Sequence, residues 1–161
     1  MDNNLNYLKF TKAMSIAALE ALKSNPNPNP KVGAALFDKN MKLKYKSHHV
    51  NKGEDHAEIA LIKNSNIQDT DYLYITLEPC FHDDTSPSCA KELLKTGIKN
   101  IVIGDVDSDP RTYGKSISYL RSNKVTVNIE DGVNEFLNPY YKKTCKSNEI
   151  TFIGKIGISN N

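Results

Sequence analysis

The sequence contains no tryptophan, and only two of its 161 residues are arginine, Arg111 and Arg121. Positive charge is therefore carried almost entirely by lysine, and the net charge is only +2. Nucleic-acid-binding proteins typically carry a larger basic excess and use arginine for bidentate contacts with phosphates and guanine. The composition argues against a nucleic-acid partner.

Long apolar runs and a disulfide framework are also absent. No segment approaches the ~20 apolar residues that a membrane helix needs, and residues 1–4 lack the basic, then apolar, start of a signal peptide. Cysteine occurs three times, an odd number that disfavours a set of disulfides and favours metal binding or catalysis. We therefore expect a cytoplasmic protein, with no membrane partner, whose thiols stay reduced.

Helical and extended patterns alternate along the chain, which predicts a single α/β domain. Apolar residues recur at helical spacing over residues 5–23, and the prolines of residues 25–30 end that helix. Strands are expected at residues 33–37, 43–47, 72–77, 98–104 and 125–129, and further helices at residues 56–63, 89–95 and 114–123.

Two short motifs carry residues that suit a catalytic zinc ion. His56 and Glu58 stand at the expected start of a helix, Cys80 follows an expected strand, and Cys89 begins another helix. One imidazole and two thiolates as ligands leave the fourth tetrahedral position for water. Glu58 is placed to move that water's protons as the catalytic acid and base. The same order of motifs is typical of zinc deaminases.

Other interpretations of these residues remain open. His82 could complete a closed structural zinc site with His56, Cys80 and Cys89, although such a site has no use for Glu58. The chain could also be a non-catalytic, zinc-stabilised binding subunit. A third alternative is a deaminase of another nucleobase or nucleoside, such as cytidine, guanine or adenosine in transfer RNA.

Longer motifs carry a resemblance to a known family. Eight residues separate Cys80 from Cys89, residues 76–80 read Thr-Leu-Glu-Pro-Cys, and residues 29–33 read Asn-Pro-Lys-Val-Gly. From about Tyr7 to about Lys155 the chain resembles the pyrimidine deaminase domain of the bifunctional riboflavin-biosynthesis deaminase/reductase, in the cytidine-deaminase-like superfamily. Cytidine deaminases and the deaminases of adenosine in transfer RNA typically place two residues between the cysteines.

The resemblance implies a fold, a cofactor and a substrate. The fold would be a three-layer α/β/α arrangement around a mixed sheet of about five strands, usually in a homo-oligomer, with Zn²⁺ as cofactor. The substrate would be the diaminohydroxyphosphoribosylaminopyrimidine intermediate of riboflavin biosynthesis, a small pyrimidine ribosyl-phosphate that loses one ring amino group as ammonia. The residues implied to bind it are Asn29, His49, His82, Asp109 and Lys115.

The chain departs from the family pattern near the second cysteine. Thr85 stands where the family has a basic residue, Asp83 and Asp84 add negative charge, and Asp109 replaces an asparagine. If the family's basic residue holds the substrate phosphate, that contact must come from elsewhere, and Lys52, Lys115 and Arg111 are the candidates.

The C-terminal residues carry a second resemblance. Residues 150–156 resemble the strand that opens the reductase domain of the bifunctional enzyme. We therefore expect a deaminase domain at residues 1–147 and, at residues 148–161, the start of a reductase domain that is absent. A separate reductase partner, a shortened chain and a lost partner function all fit this ending.

Overall fold

The computed structural model describes residues 10–83 and 87–141. In chain order its elements are α1 (Lys12–Ala21), β1 (Gly33–Phe37), β2 (Leu43–His48), α2 (Ala57–Asn64), β3 (Tyr72–Ile75), α3 (Cys89–Lys95), β4 (Asn100–Ile103), α4 (Lys115–Ser122), β5 (Thr126–Ile129) and α5 (Val133–Leu137). The strands form one mixed sheet in the order β2-β1-β3-β4-β5. β1 is antiparallel to both β2 and β3, whereas β3, β4 and β5 run parallel.

Helices cover both faces of the sheet, so the expected three-layer α/β/α fold is confirmed. The alternation of side chains along the buried strand β1 shows the two layers: Ala34 and Leu36 pack with α2, α3 and α4, whereas Ala35 and Phe37 pack with α1 and α5. A central strand needs apolar residues on both faces, which explains why β1 has no polar side chain.

α1 lies unusually close to β1 at Gly33. A Cβ atom built on Gly33 would lie 2.1 Å from the backbone oxygen of Ala17 and 2.6 Å from the backbone nitrogen of Ala21. Gly33 is also tied to the end of β3, because its N–H donates to Thr76 Oγ1 at 3.1 Å and its carbonyl accepts the Thr76 N–H at 3.0 Å. Only glycine lets helix and strand approach this closely.

Several predicted boundaries are corrected. α1 begins at Lys12 within the described residues, because Thr11 caps it by accepting the Met14 N–H at 3.2 Å; residues 5–9 of the predicted helix lie outside the described residues. β3 ends at Ile75 rather than at residue 77. α5, a helix of five residues that follows Gly132, was not predicted.

None of the described helices is long and apolar enough to cross a membrane. The segment at residues 148–161, on which the expected domain boundary depends, lies outside the described residues, as does Cys145.

The topology brings four chain segments to one edge of the sheet. The parallel strands β3 and β4 both end there, and antiparallel pairing places the start of β1 and the end of β2 beside them, with Gly33 opposite His48. The residues next to these ends therefore meet in space: Asn29 before β1, His49 after β2, residues 76–83 after β3, and the loop between β4 and α4.

Candidate active site

His56, Cys80 and Cys89 form a group that could hold a metal ion. His56 immediately precedes α2, Cys80 follows β3, and Cys89 is the first residue of α3. Their ligand atoms all lie within 4.8 Å of one another, and Cys89 Sγ is 3.3 Å from His56 Nδ1. Three elements that are distant in sequence thus bring one nitrogen and two sulfur donors together.

This donor set fits zinc, which binds imidazole nitrogen and thiolate sulfur in a tetrahedral arrangement. The Cys89 backbone N–H donates to Cys80 Sγ at 3.3 Å, a contact that favours the thiolate form of Cys80. Among the described residues this group has three members, and His82 is not one of them. The group therefore matches the ligand number of a catalytic rather than a closed structural zinc site.

The same contacts shift the ionisation of the group. A hydrogen bond from the Cys89 thiol is the largest cause that lowers the pKa of Cys80 to about 4. That sulfur in turn raises the pKa of His56 to about 9, and the pKa of the Cys89 thiol is raised because Cys80 and burial both oppose its ionisation. Negative charge is thus favoured on Cys80.

Glu58 stands beside this group, as the second residue of α2. Its side chain is buried, with 3% of the residue exposed. Burial raises the pKa of Glu58 to about 7, although the nearby His56 acts in the opposite direction. A buried carboxyl group with a pKa near neutrality is suited to both accept and return a proton.

A cavity of about 140 Å³ opens next to these residues. It is lined by Asn29, Pro30, Val32, His49, His56, Glu58, Leu77, Glu78, Cys80, His82, Asp107, Asp109, Arg111 and Tyr141. The structure therefore brings Asn29, His49, His82 and Asp109, four of the five residues expected to bind substrate, to the same cavity as Glu58. It does not bring Lys115 there: this side chain is exposed and is absent from the lining.

Asn29 and His49 form a connected pair at the cavity. His49 Nδ1 lies 3.0 Å from the carbonyl oxygen of Asp55, which can only accept, so Nδ1 is the protonated nitrogen. Burial lowers the pKa of His49, which favours the neutral ring. Nε2 is then an acceptor, and Asn29 Nδ2 donates to it at 3.4 Å. This chain of contacts orients the Asn29 amide.

Arg111 is the one lysine or arginine among the described residues that line the cavity. Its guanidinium holds Asp109, with Nη2 at 2.6 Å from Oδ2 and Nε at 3.1 Å from both carboxylate oxygens. The Arg111 contact lowers the pKa of Asp109. The carboxylate of Asp109, which stands where the family has an asparagine, is thus neutralised by the guanidinium of Arg111, two residues later.

Glu78, Asp107 and Tyr141 also line the cavity, although none of them was predicted as a site residue. Asp107 Oδ1 accepts a hydrogen bond from the Tyr141 hydroxyl at 2.9 Å, and burial raises the pKa of Asp107 to about 6. Glu78 lies within the Thr-Leu-Glu-Pro-Cys motif, which was the available signal for it, and Asp107 stands two residues before Asp109. Tyr141 has no motif around it.

Comparison with known proteins agrees with this geometry. Residues 9–105 match the family model described as the cytidine and deoxycytidylate deaminase zinc-binding region. A diaminohydroxyphosphoribosylamino-pyrimidine deaminase from Buchnera aphidicola subsp. Schizaphis graminum is 37% identical over 121 residues, which are 74% of this chain and 80% of the relative. RibD, a riboflavin biosynthesis protein of Aquifex aeolicus, is 34% identical over 77% of this chain but only 34% of its own length.

Solved structures give the same result. RibD of Acinetobacter baumannii has a TM-score of 0.72 at 29% identity, over 84% of this chain and 39% of that one. The Thermotoga maritima deaminase/reductase has a TM-score of 0.72 at 29% identity, over 82% of this chain and 41% of that one. The chain thus spans about two fifths of these structures.

These matches identify the cofactor class and the reaction class. The protein is a zinc-dependent hydrolytic deaminase with a cytidine-deaminase-like fold. It belongs to the cytidine and deoxycytidylate deaminase family and, within it, to the diaminohydroxyphosphoribosylamino-pyrimidine deaminases of riboflavin biosynthesis.

Proposed function

We propose that this protein deaminates diaminohydroxyphosphoribosylaminopyrimidine by hydrolysis and releases ammonia in riboflavin biosynthesis. The observation that carries the proposal is the meeting of a buried Glu58 with the group of His56, Cys80 and Cys89 at one cavity. The names of the relatives supply the substrate class.

His56, Cys80 and Cys89 would hold the zinc ion through one nitrogen and two sulfur atoms. When bound, zinc acidifies water, so that a nucleophile forms near neutral pH. The N–H of Cys89 keeps Cys80 in the thiolate form that metal binding requires. The chain's own part in the reaction is to place a proton carrier and a substrate beside this centre.

Glu58 carries the protons. Its carboxylate takes one proton from the attacking water and passes it to the ring nitrogen next to the amino-bearing carbon. A C–O bond forms at that carbon. The C–N bond then breaks as Glu58 delivers the second proton to the amino group, which leaves as ammonia. One water is consumed, one ammonia is released and a ring carbonyl remains.

Asn29 and His49 recognise the edge of the pyrimidine ring. Because Asn29 Nδ2 donates to His49, its Oδ1 is left to accept from a ring N–H or amino group. The bond from His49 Nδ1 to the Asp55 carbonyl fixes this arrangement. His82, which lies in the segment between the two cysteines and lines the cavity, is placed to contact the same substrate.

Arg111 would bind the 5′-phosphate. Guanidinium is the side chain best suited to bidentate phosphate contacts, and Arg111 is the described cation that lines the cavity. Its pairing with Asp109 orients it before substrate arrives. The other two candidates, Lys52 and Lys115, are exposed and lie outside the cavity lining, so they are less suitable.

Ammonia release from purified, zinc-loaded protein tests the assignment. We expect rapid release from the diaminopyrimidinone ribosyl-phosphate, and at least about 100-fold lower kcat/KM for cytidine, guanine and adenosine in transfer RNA. Faster turnover of one of these would assign another deaminase specificity. No ammonia from any substrate, with zinc bound and the protein folded, would identify a non-catalytic binding subunit.

We also propose that the protein forms a homo-oligomer, works beside a reductase and resides in the cytoplasm. The bifunctional deaminase/reductase relative supports the second point, and the free thiols of Cys80 and Cys89 fit a reducing compartment. Light scattering after size exclusion, co-purification with a reductase and cell fractionation test the three points. A monomer, no reductase partner or a non-cytoplasmic fraction would contradict them respectively.

A further inference from the structure

We propose that Glu78 is a positioning residue for substrate binding: its carboxylate holds the β4–α4 loop (residues 104–114) against the segment that carries Cys80. This inference rests on the proposed function for its kinetic part only. Glu78 is 3% exposed and lies three residues after the end of β3 and two residues before Cys80.

Both carboxylate oxygens of Glu78 accept two hydrogen bonds. Oε2 accepts the backbone N–H groups of Asp107 at 3.1 Å and Gly114 at 2.9 Å. Oε1 accepts the Ser116 hydroxyl at 2.6 Å and the Ile117 N–H at 3.4 Å. The first pair of donors belongs to the β4–α4 loop and the second pair to the first turn of α4.

Two neighbouring contacts reinforce this attachment. The backbone N–H of Glu78 donates to the Asp105 carbonyl at 2.8 Å, and the Phe81 N–H donates to Thr112 Oγ1 at 3.3 Å. The segment is therefore fastened to the β4–α4 loop on both sides of Cys80. A shift of the loop relative to the metal group would have to break these contacts.

The held part of the loop is the part that lines the cavity. Asp107 and Gly114 supply the two N–H groups that donate to Oε2, and the cavity-lining residues Asp109 and Arg111 lie between them. With both ends of this stretch held, the backbone that carries Asp109 and Arg111 keeps its place at the cavity beside Glu58 and the metal group. Glu78 therefore acts on substrate affinity through these residues, and the chemical step depends on it less.

Two substitutions separate this role from general stabilisation. Glu78→Ala removes all four hydrogen bonds and leaves buried donors without an acceptor. Glu78→Gln can keep its amide oxygen on the Asp107 and Gly114 N–H groups and turn its NH₂ toward Ser116 Oγ, so it preserves the anchor in weakened, uncharged form. We expect KM to rise about 30-fold in Glu78→Ala and about fivefold in Glu78→Gln, with kcat within about threefold and zinc content unchanged.

Two control variants test the location of the effect. Ser116→Ala removes a contact with Oε1 and leaves both loop contacts with Oε2 in place, so KM should stay within about twofold. Asp71→Asn alters another buried carboxylate, which accepts the Gln68 N–H at 2.8 Å and Lys44 Nζ at 2.6 Å away from the cavity lining. It should lower the melting temperature and leave KM unchanged.

Amide hydrogen exchange supplies a second readout that needs no turnover. In Glu78→Gln the N–H protons of Asp107 and Gly114 should exchange about tenfold faster than in the wild type, while those of Leu73 and Ile101 in the strands stay protected. If Glu78→Ala does not fold, Glu78→Gln decides by the same criteria. A KM for Glu78→Gln within twofold of the wild type overturns the inference. If the wild type itself releases no ammonia, the proposed function fails. Whatever the result for ammonia, unchanged amide exchange at Asp107 and Gly114 in Glu78→Gln overturns the role of Glu78.

Discussion

The two sides of the cavity are built differently. On the metal side, the functional residues lie at the ends of regular elements. His56 precedes α2 and Glu58 is the second residue of that helix, Cys89 begins α3, and Cys80 follows β3. On the substrate side, Asn29, Asp109 and Arg111 belong to loops that side-chain contacts hold in place. Regular elements set the geometry of the first side, and side-chain hydrogen bonds set that of the second.

We expect this difference to separate the residues that govern the chemical step from those that govern substrate binding. The metal side depends on backbone geometry that tolerates little change, so substitutions there should affect metal binding and kcat. We expect the substrate side to tolerate changes of residue more readily, and Asp109, which stands where the family has an asparagine, is paired here with Arg111. Substitutions there should act mainly on KM.

The largest effect is expected from Cys89→Ala. The variant loses one of three donor atoms and the thiol that hydrogen-bonds Cys80, so zinc binding and ammonia release should both fall below detection. Zinc content by atomic absorption and the melting temperature measure the result. Cys145→Ala is the matched control and should keep full zinc. A Cys89→Ala protein that binds zinc stoichiometrically would contradict the ligand assignment.

Glu58→Gln should separate chemistry from metal binding on the same side. The amide keeps the size of the side chain but cannot carry a proton, so kcat should fall about 10³-fold while zinc content and KM stay close to the wild type. Steady-state ammonia release and zinc analysis on one preparation are sufficient. Normal turnover by this variant would show that another group moves the protons.

Arg111→Ala tests the substrate side. Loss of the guanidinium should raise KM for the phosphorylated substrate about tenfold and leave kcat nearly unchanged. The dephosphorylated substrate should be affected little. Lys115→Ala, which removes a cation outside the cavity lining, is the matched control and should behave as the wild type. The reverse pattern would place the phosphate at Lys115.

The smallest effect is expected from Glu20→Gln, a substitution in α1. Buried Glu20 binds His48 Nδ1 at 3.1 Å, and His48 precedes His49. Burial raises the pKa of Glu20, but bonds from Lys23, Lys46 and His48 together leave it below the ordinary 4.5. A lowered carboxyl pKa stabilises the fold fully above about pH 4.5, and this contribution is lost as pH falls through the folded-state pKa.

Urea unfolding at several pH values measures this contribution. At pH 7 the Glu20→Gln variant should lose about 1 kcal/mol of unfolding free energy, because the lysine partners are partly exposed and screened. The deficit should shrink toward pH 4 and below. Glu135→Gln, at an exposed glutamate of α5, is the control and should show no such deficit. A deficit for Glu20→Gln that is independent of pH would indicate a packing effect instead.

The positions of the strands and of most helices were predictable because each carries its own apolar pattern and turn signals, whereas the three-layer arrangement was expected from the family resemblance. The grouping of His56, Cys80 and Cys89 was predictable for a related reason: each lies beside the end of such an element. α5 was missed because five residues carry too little periodicity. Tyr141 lines the cavity and donates a hydrogen bond to Asp107, 34 positions away, a contact that no local pattern encodes.

Lys115 shows why the substrate side was harder to predict. The resemblance placed it in the pocket, but its two neighbours are held by the carboxylate of Glu78: Gly114 through its N–H and Ser116 through its hydroxyl. With the residues on both sides turned inward, Lys115 faces solvent. Such an outcome depends on a contact across 38 positions rather than on neighbouring residues.

The bare backbone at Gly33 has a consequence for how the cavity keeps its shape. Because the backbone of α1 packs directly against Gly33, the helix limits how far β1, the strand that follows Asn29 and Pro30, can move toward it. Adding a single methyl group would drive the two apart, and the displacement would reach Thr76 through the paired amide contacts. The spacing between the loop that holds Asn29 and the segment that holds Cys80 therefore depends on Gly33, where helix and strand meet with no side chain between them.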